Sequence, residues 1–194
     1  MKRPVTILAA AFAGLALSFT VLTSSIWSSD AAHSRLGFTV NHMGISDLNG
    51  SFGNYEVKIT ATKEDFSDAK VELTGDINTI NTGNEMRDGH LKTADFFDAE
   101  KFPKFTFASK SFTKVAKSKN EYKVVGDLTL HGVTKEVTMT AVHNGTITNP
   151  MNKKEVSGFK MTGTINRIDF GVGAANPGIG NDVKITADLE LVKE

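Results

Sequence analysis

Arg35-Leu36-Gly37-Phe38-Thr39-Val40-Asn41-His42 decides the fold. In an extended chain successive side chains point to opposite sides, so Leu36, Phe38, Val40 and His42 share one face while Arg35, Thr39 and Asn41 occupy the other. The alternation describes a strand with one buried and one wet face. The same period of two recurs at Tyr55/Val57/Ile59, Val71/Leu73, Phe105/Phe107, Tyr122/Val124/Leu128/Leu130, Val137/Met139/Ala141, Phe159/Met161/Ile165 and Val183/Ile185/Ala187/Leu189/Leu191. Turn-forming residues separate these runs, as at Lys117-Ser118-Lys119-Asn120, His131-Gly132, Thr148-Asn149-Pro150 and Asn176-Pro177-Gly178. About eight such strands predict an all-β antiparallel barrel or sandwich and exclude a parallel α/β sheet, whose strands read as unbroken apolar runs.

One segment breaks the pattern. Asn84 to Phe97 has helical character: Asn84 or Thr82 can cap a first turn with Glu85 behind it, and Thr93 can cap a second. A short helical insertion near 84–98 follows, with Phe96, Phe97 and Phe102 as an apolar plug beside the barrel. Arg87, Asp88 and His90 fall in it, and Arg167 and Asp169 fall in a later loop. Two readings fit these groups. They frame a pore entrance and meet a polar or phosphorylated headgroup, for which arginine offers a two-pronged donor, or they pin the insertion to the barrel.

At 194 residues the chain suits one domain with a real core. Lys2 and Arg3 precede eighteen uncharged residues, Val5 to Leu22, and Thr23, Ser24 and Ser25 follow. That is the layout of a signal peptide over 1–25 with cleavage near Ser25, placing residues 26–194 in the periplasm or outside the cell. A retained anchor is the competing reading, since the run is long enough to span a bilayer, but Thr6, Gly14, Ser18 and Thr20 dilute it. Without the leader, 20 basic groups face 22 acidic ones, a balance that points to no nucleic acid. The absence of cysteine excludes thiol catalysis, disulfide staples and zinc–cysteine sites.

The barrel interior is filled or hollow. Gly75, Gly126 and Gly163 fall in the inward phase of their strands, where missing side chains leave volume or mark bends of the sheet. Ala141 and Ala187 favour the hollow reading, and Met139 and Met161 supply pliable thioethers. The lumen then comprises Phe38, Val40, His42, Val57, Leu73, Gly75, Phe105, Phe107, Val124, Gly126, Leu128, Met139, Met161, Gly163 and Ile185.

Catalytic signals are weak. His33, His42, His90, His131 and His143 show no close metal-ligand spacing, so no metal is expected. His42 ends the inward series as a core residue or a headgroup contact; His131 reads as a structural turn residue and His143 as a solvated strand end. No carboxylate spacing specifies an acid/base pair, and the glycines of 171–180 lack a strand-to-helix setting and a following Lys-Ser/Thr.

The ordered series Trp27, Asp30, His33-Ser34, Phe38, Val40, His42, Gly50-Ser51-Phe52, Arg87-Asp88-Gly89-His90-Leu91, Phe96-Phe97, Pro103, Gly126-Asp127-Leu128-Thr129-Leu130-His131-Gly132-Val133-Thr134-Lys135 and Asn166-Arg167-Ile168-Asp169-Phe170-Gly171 resembles the YceI-like family of secreted bacterial proteins. The resemblance implies a lipocalin-like antiparallel barrel whose apolar pore holds a long-chain isoprenoid or other lipid, isoprenoid quinones included, with no cofactor of its own. The expected function is therefore an exported lipid carrier or sink, not an enzyme. The alternatives are a barrel enzyme using His42, His90 and Asp88 as acid/base groups, and a solid-cored structural or adhesion module without ligand. Whether two copies form a homodimer stays open.

Overall fold

The computed structural model describes residues 23–194, so the leader expected over 1–25 lies almost entirely outside the described residues. Eleven strands make one antiparallel sheet. They are β1 (Ser25–Ser29), β2 (Arg35–His42), β3 (Ser46–Phe52), β4 (Tyr55–Ala61), β5 (Lys70–Asp76), β6 (Ile80–Asn81), β7 (Lys104–Lys114), β8 (Glu121–Leu130), β9 (Val133–Thr148), β10 (Glu155–Asn166) and β11 (Ile179–Lys193). Three of the eight staves are each built from two strands in line. β1 and β2 lie end to end along the same edge of β11, β4 pairs with β1 while β3 pairs with β2, and β6 continues β5 after a short turn at Ile77–Thr79. Eight staves therefore close into an antiparallel barrel, as the alternation predicts.

The break between β1 and β2 explains several of the polar residues between Asp30 and Ser34 in structural terms. Ser34 Oγ accepts from the Glu190 N–H (3.0 Å) and donates to the Glu190 carbonyl (3.2 Å). The Asp30 N–H also bonds the Glu190 carbonyl (2.8 Å), so the hydroxyl replaces the one ladder bond, to the Glu190 N–H, that the interrupted stave leaves open. Asp30 accepts from the Ala32 N–H (2.9 Å) and faces His33 Nδ1 at 2.9 Å, which shapes the turn between the two strands.

Register separates the barrel into two ends. At the base, Trp27 pairs with Lys193 and Ser25 with Ala61; at the mouth, His42 pairs with Ile179. The base is solid. Phe66, held at φ 57° in the loop between β4 and β5, packs its ring against Trp27, His143 and Phe159 at 5.0–5.4 Å, while Tyr122 hydrogen-bonds the Asp65 carbonyl below. Phe66, Tyr122, Val124, Phe159 and Leu191 are all buried there.

At the mouth the ladder is incomplete. β6 meets β3 only at Ser51↔Asn81 and Phe52↔Ile80, and β7 pairs with β5 only as far as Asp76↔Lys104. The gap is covered by the insertion, whose regular part is a single helix, α1 (Glu85–Leu91). Asn84 caps it, its side chain accepting from the Arg87 N–H at 3.0 Å, and Glu85 and Asp88 suit the positive end of the helix dipole. The second segment, from Thr93, is a set of tight turns rather than a helix: the N–H groups of Phe96 and Asp98 both bond the Thr93 carbonyl.

His143 departs from the expectation of a solvated strand end. It stacks on Phe159 at 4.8 Å and its Nε2 lies 2.9 Å from Oγ of the fully buried Ser157. Burial holds its pKa below the ordinary value, opposed by a hydrogen bond to the Gly145 backbone. Unfolding restores the normal affinity for a proton, so this residue's contribution is complete above about pH 6.5 and is lost as pH falls below that value toward the folded pKa. Exposed His33, raised by its bond to Asp30, acts with the opposite sign. Denaturation midpoints measured from pH 7.5 down to pH 5 should therefore fall less steeply for His143→Gln than for the parent; parallel curves would refute the assignment.

Candidate functional site

The mouth half of the barrel is hollow, with a cavity of about 490 Å³, inside the roughly 300–1,000 Å³ typical of small-molecule sites. The question of a filled or hollow barrel thus divides by level. Below, the Phe66 plug and its neighbours fill the centre; above, inward side chains face empty space.

Of the residues expected in the lumen, Phe38, Val40, His42, Val57, Leu73, Phe105, Phe107, Leu128, Met139, Met161 and Ile185 stand on the cavity wall. Four do not. Val124 belongs to the packed base and is fully buried. Gly75, Gly126 and Gly163 leave no volume, because a cross-strand neighbour lies over each. A Cβ on Gly75 would sit 2.1 Å from the Phe105 ring, one on Gly126 2.6 Å from Phe107 and 2.5 Å from the Ala108 carbonyl, and one on Gly163 2.2 Å from Met139 Sδ. These glycines make room for a neighbour's side chain to lie flat across the strand. Gly126→Ala is accordingly expected to cost about 1–3 kcal/mol by overpacking, seen as a lower denaturation midpoint; an unchanged midpoint would show free space at that position.

Alternation could have found further wall residues, since Val137 and Val183 share the phase of Met139 and Ile185. Phe52 joins Phe38, Phe97 and Phe105 in an aromatic group with centroids 4.7–6.5 Å apart. Leu91 comes from α1, Asn176 from the glycine-rich loop and Ile179 from the first position of β11, a stretch that carried no periodic signal.

Of the entrance candidates, Arg87, His90, Phe96, Phe97 and Arg167 border the cavity. Asp88 and Asp169 do not. The Asp88 carboxylate turns back to Thr82, accepting from its N–H (2.9 Å) and its hydroxyl (2.5 Å), and Asp169 faces Lys135 at 3.9 Å on the exposed side. His90 Nε2 lies 3.0 Å from Asp95, so His42, His90 and Asp88 are not brought into one hydrogen-bonded set.

The two arginines differ in kind. All five N–H donors of buried Arg167 are taken: Nε by the Gly180 carbonyl, one terminal nitrogen by Val172 and Ala174, the other by Ile179 and the Asn181 side chain, at 2.9–3.3 Å. Arg167 ties the loop 171–181 to the mouth and has nothing left for a headgroup; burial lowers its pKa from the usual value. Arg87 donates only to Thr82, through Nε to Oγ1 (2.7 Å) and one terminal nitrogen to the carbonyl (2.8 Å). Its other terminal nitrogen has no protein acceptor among the described residues, and neither arginine has a carboxylate within ion-pair distance there.

Among the described residues the wall carries no Asp, Glu, Lys, Ser or Thr. Its polar side chains are Asn41, His42, Arg87, His90, Arg167 and Asn176, from the end of β2, α1, the turn that follows β10 and the loop before β11. The arrangement is an apolar well with neutral and cationic groups confined to its opening. The one cluster of three potential metal ligands among the described residues, Asp30, His33 and Glu190, is not on this wall.

Known proteins share both fold and sequence. The UPF0312 protein SA2479 of Staphylococcus aureus (strain N315) is 42% identical over 168 residues, covering 84% of this chain and 94% of its own. The crystal structure of the Campylobacter jejuni YCEI protein superposes with a TM-score of 0.71 at 30% identity, over 79% of this chain and 90% of that one. Burkholderia cenocepacia BcnA has the same fold, with a TM-score of 0.74 at 22% identity over 84% and 98% of the two chains. So does a polyisoprenoid binding domain from Saccharophagus degradans, at 0.58 and 16% over 90% and 100%. The family model described as the YceI-like domain matches residues 27–191, from the first strand of the barrel to the last, and the chain belongs to that family.

Proposed function

We propose that the protein is an exported carrier or sink that holds a long-chain isoprenoid-type lipid, or an isoprenoid quinone, in the mouth half of its barrel. The observation that carries this reading is the segregation of the cavity wall, apolar along its depth and polar only at its rim. A greasy chain gains about 0.8 kcal/mol for each CH₂ buried, so affinity comes from length and shape, and the polar ring orients the head outward. With no carboxylate on the wall and one Arg87 nitrogen unclaimed, the head is neutral or anionic, as in a quinone or a phosphorylated lipid.

The fold shared with the Saccharophagus degradans polyisoprenoid binding domain supports the choice of ligand class. Export is supported by the charged start and the uncharged run 5–22 followed by small residues. We read the protein as a binder rather than an enzyme because the groups at the mouth are engaged separately: Asp88 with Thr82, His90 with Asp95, Arg167 with backbone carbonyls.

Native mass spectrometry of the protein purified from its own host tests this directly. The expected result is an added mass that extracts into organic solvent and is identified as an isoprenoid lipid. A bare polypeptide mass, together with no uptake of isoprenoid lipids on incubation, would refute the proposal.

A further inference from the structure

We propose that the rim of the mouth is a membrane-docking surface, in which Met43, Ile45 and Met86 enter the headgroup layer of a lipid bilayer. This rests on the lipid-carrier reading and deepens it by naming the source of the cargo. Met43 and Ile45 lie in the turn joining β2 to β3, and Met86 on the outer face of α1; they are 62%, 85% and 86% exposed. Both elements border the cavity opening through His42 and through Arg87 and His90. Exposed apolar side chains therefore stand on two of the elements that border the opening, outside its polar ring.

The turn is fixed rather than loose. The Ile45 N–H bonds the His42 carbonyl (3.2 Å) and the Met43 N–H bonds the Gly178 carbonyl (3.0 Å), so the tip is braced against the loop that Arg167 holds. Met43 has φ 54° and Gly44 φ 73°, positions that asparagine or glycine normally fills in such a turn. A methionine here is costly to the backbone, and most of its apolar side chain stays in solvent.

The partner that fits is a bilayer. A lipid leaving a membrane for the well must otherwise cross water with its chain exposed, whereas a rim seated among headgroups gives it a continuous apolar path. The rim's charges are mixed, with Arg87 and Lys92 beside Glu85, Asp88 and Asp95, so attraction to anionic lipid is not the driving force and binding should be insensitive to salt.

Co-sedimentation of the purified protein with phosphatidylcholine vesicles, with and without phosphatidylglycerol and at low and high salt, tests the proposal. Two variants are compared with the parent. Ile45→Glu/Met86→Glu alters the rim, while Ile147→Glu/Met151→Glu alters the hairpin between β9 and β10 at the base, whose side chains are 65% and 91% exposed but adjoin no opening. The rim variant should lose at least fivefold in the bound fraction in both lipid mixtures and at both salt levels, with the base variant unchanged. It should also still take up isoprenoid lipid from detergent solution, which separates failure of docking from failure of the cavity. Equal loss in both variants, no vesicle binding by the parent, loss only with anionic vesicles at low salt, or a rim that instead mediates self-association would each overturn the proposal.

Discussion

Replacing Arg167 by leucine is expected to destabilise the protein by about 3–5 kcal/mol, the largest effect of any single substitution considered. The guanidinium satisfies the carbonyls of Val172, Ala174, Ile179 and Gly180 together with the Asn181 side chain. A hydrogen bond to a charged group contributes roughly 1.5–3 kcal/mol, and an acceptor left buried without a partner costs about as much again. Some of these carbonyls will reach water once the loop relaxes, which holds the total well below the simple sum. Urea titration should show the loss as a lower midpoint, and hydrogen exchange should show faster exchange confined to residues 171–181 and the neighbouring ends of β10 and β11. Lysine at this position should not rescue, because a single ammonium cannot span acceptors arranged around a planar fork. A midpoint within about 1 kcal/mol of the parent would mean that the loop stands by itself.

The second large effect concerns binding. Ile185→Trp should leave the fold standing and reduce uptake of an isoprenoid lipid by a hundredfold or more. Ile185 lies on the wall of the hollow half, paired with Phe38 on one side and Gly163 on the other, and is only partly buried because it faces the void. An indole there has room that a packed core would deny it. If it displaces about four methylene-sized groups of guest, the loss is near 3 kcal/mol at about 0.8 kcal/mol each, a little over two factors of ten. Titration with a fluorescent isoprenoid analogue reads the affinity and thermal denaturation the fold. Undiminished uptake by a folded variant would mean that the lipid does not enter the barrel.

Alternation made the staves readable, since period two in Arg35–His42, Tyr55–Ala61 and Ile179–Lys193 reports a half-buried strand whatever its partner. Closure was not readable in the same way. That β1 and β2 share one edge of β11 rests on backbone pairings between the two ends of the chain, with the Ser34 hydroxyl bonding a residue 156 positions away at the break, and no local pattern encodes such contacts. The inward glycines misled because a missing side chain signals space only if nothing else takes it, and the rings of Phe105 and Phe107 do. His143 misled for the converse reason: its place near a strand end suggested water, but Phe66 arrives from a distant loop to cover it. Arg167 looked equivalent to Arg87 in sequence. Only the loop geometry distinguishes a donor set that is exhausted from one that is not.

The folded domain begins and ends at the same place. Ser25 and Lys193 both lie at the closed base, where the Glu194 N–H bonds the Ile26 carbonyl at 3.0 Å. A tether joined at Ser25 or at Glu194, whether an affinity tag, a linker to a sensor chip or a fused reporter, therefore hangs from the end opposite the opening. Molecules immobilised in this way stand with their cups facing the medium.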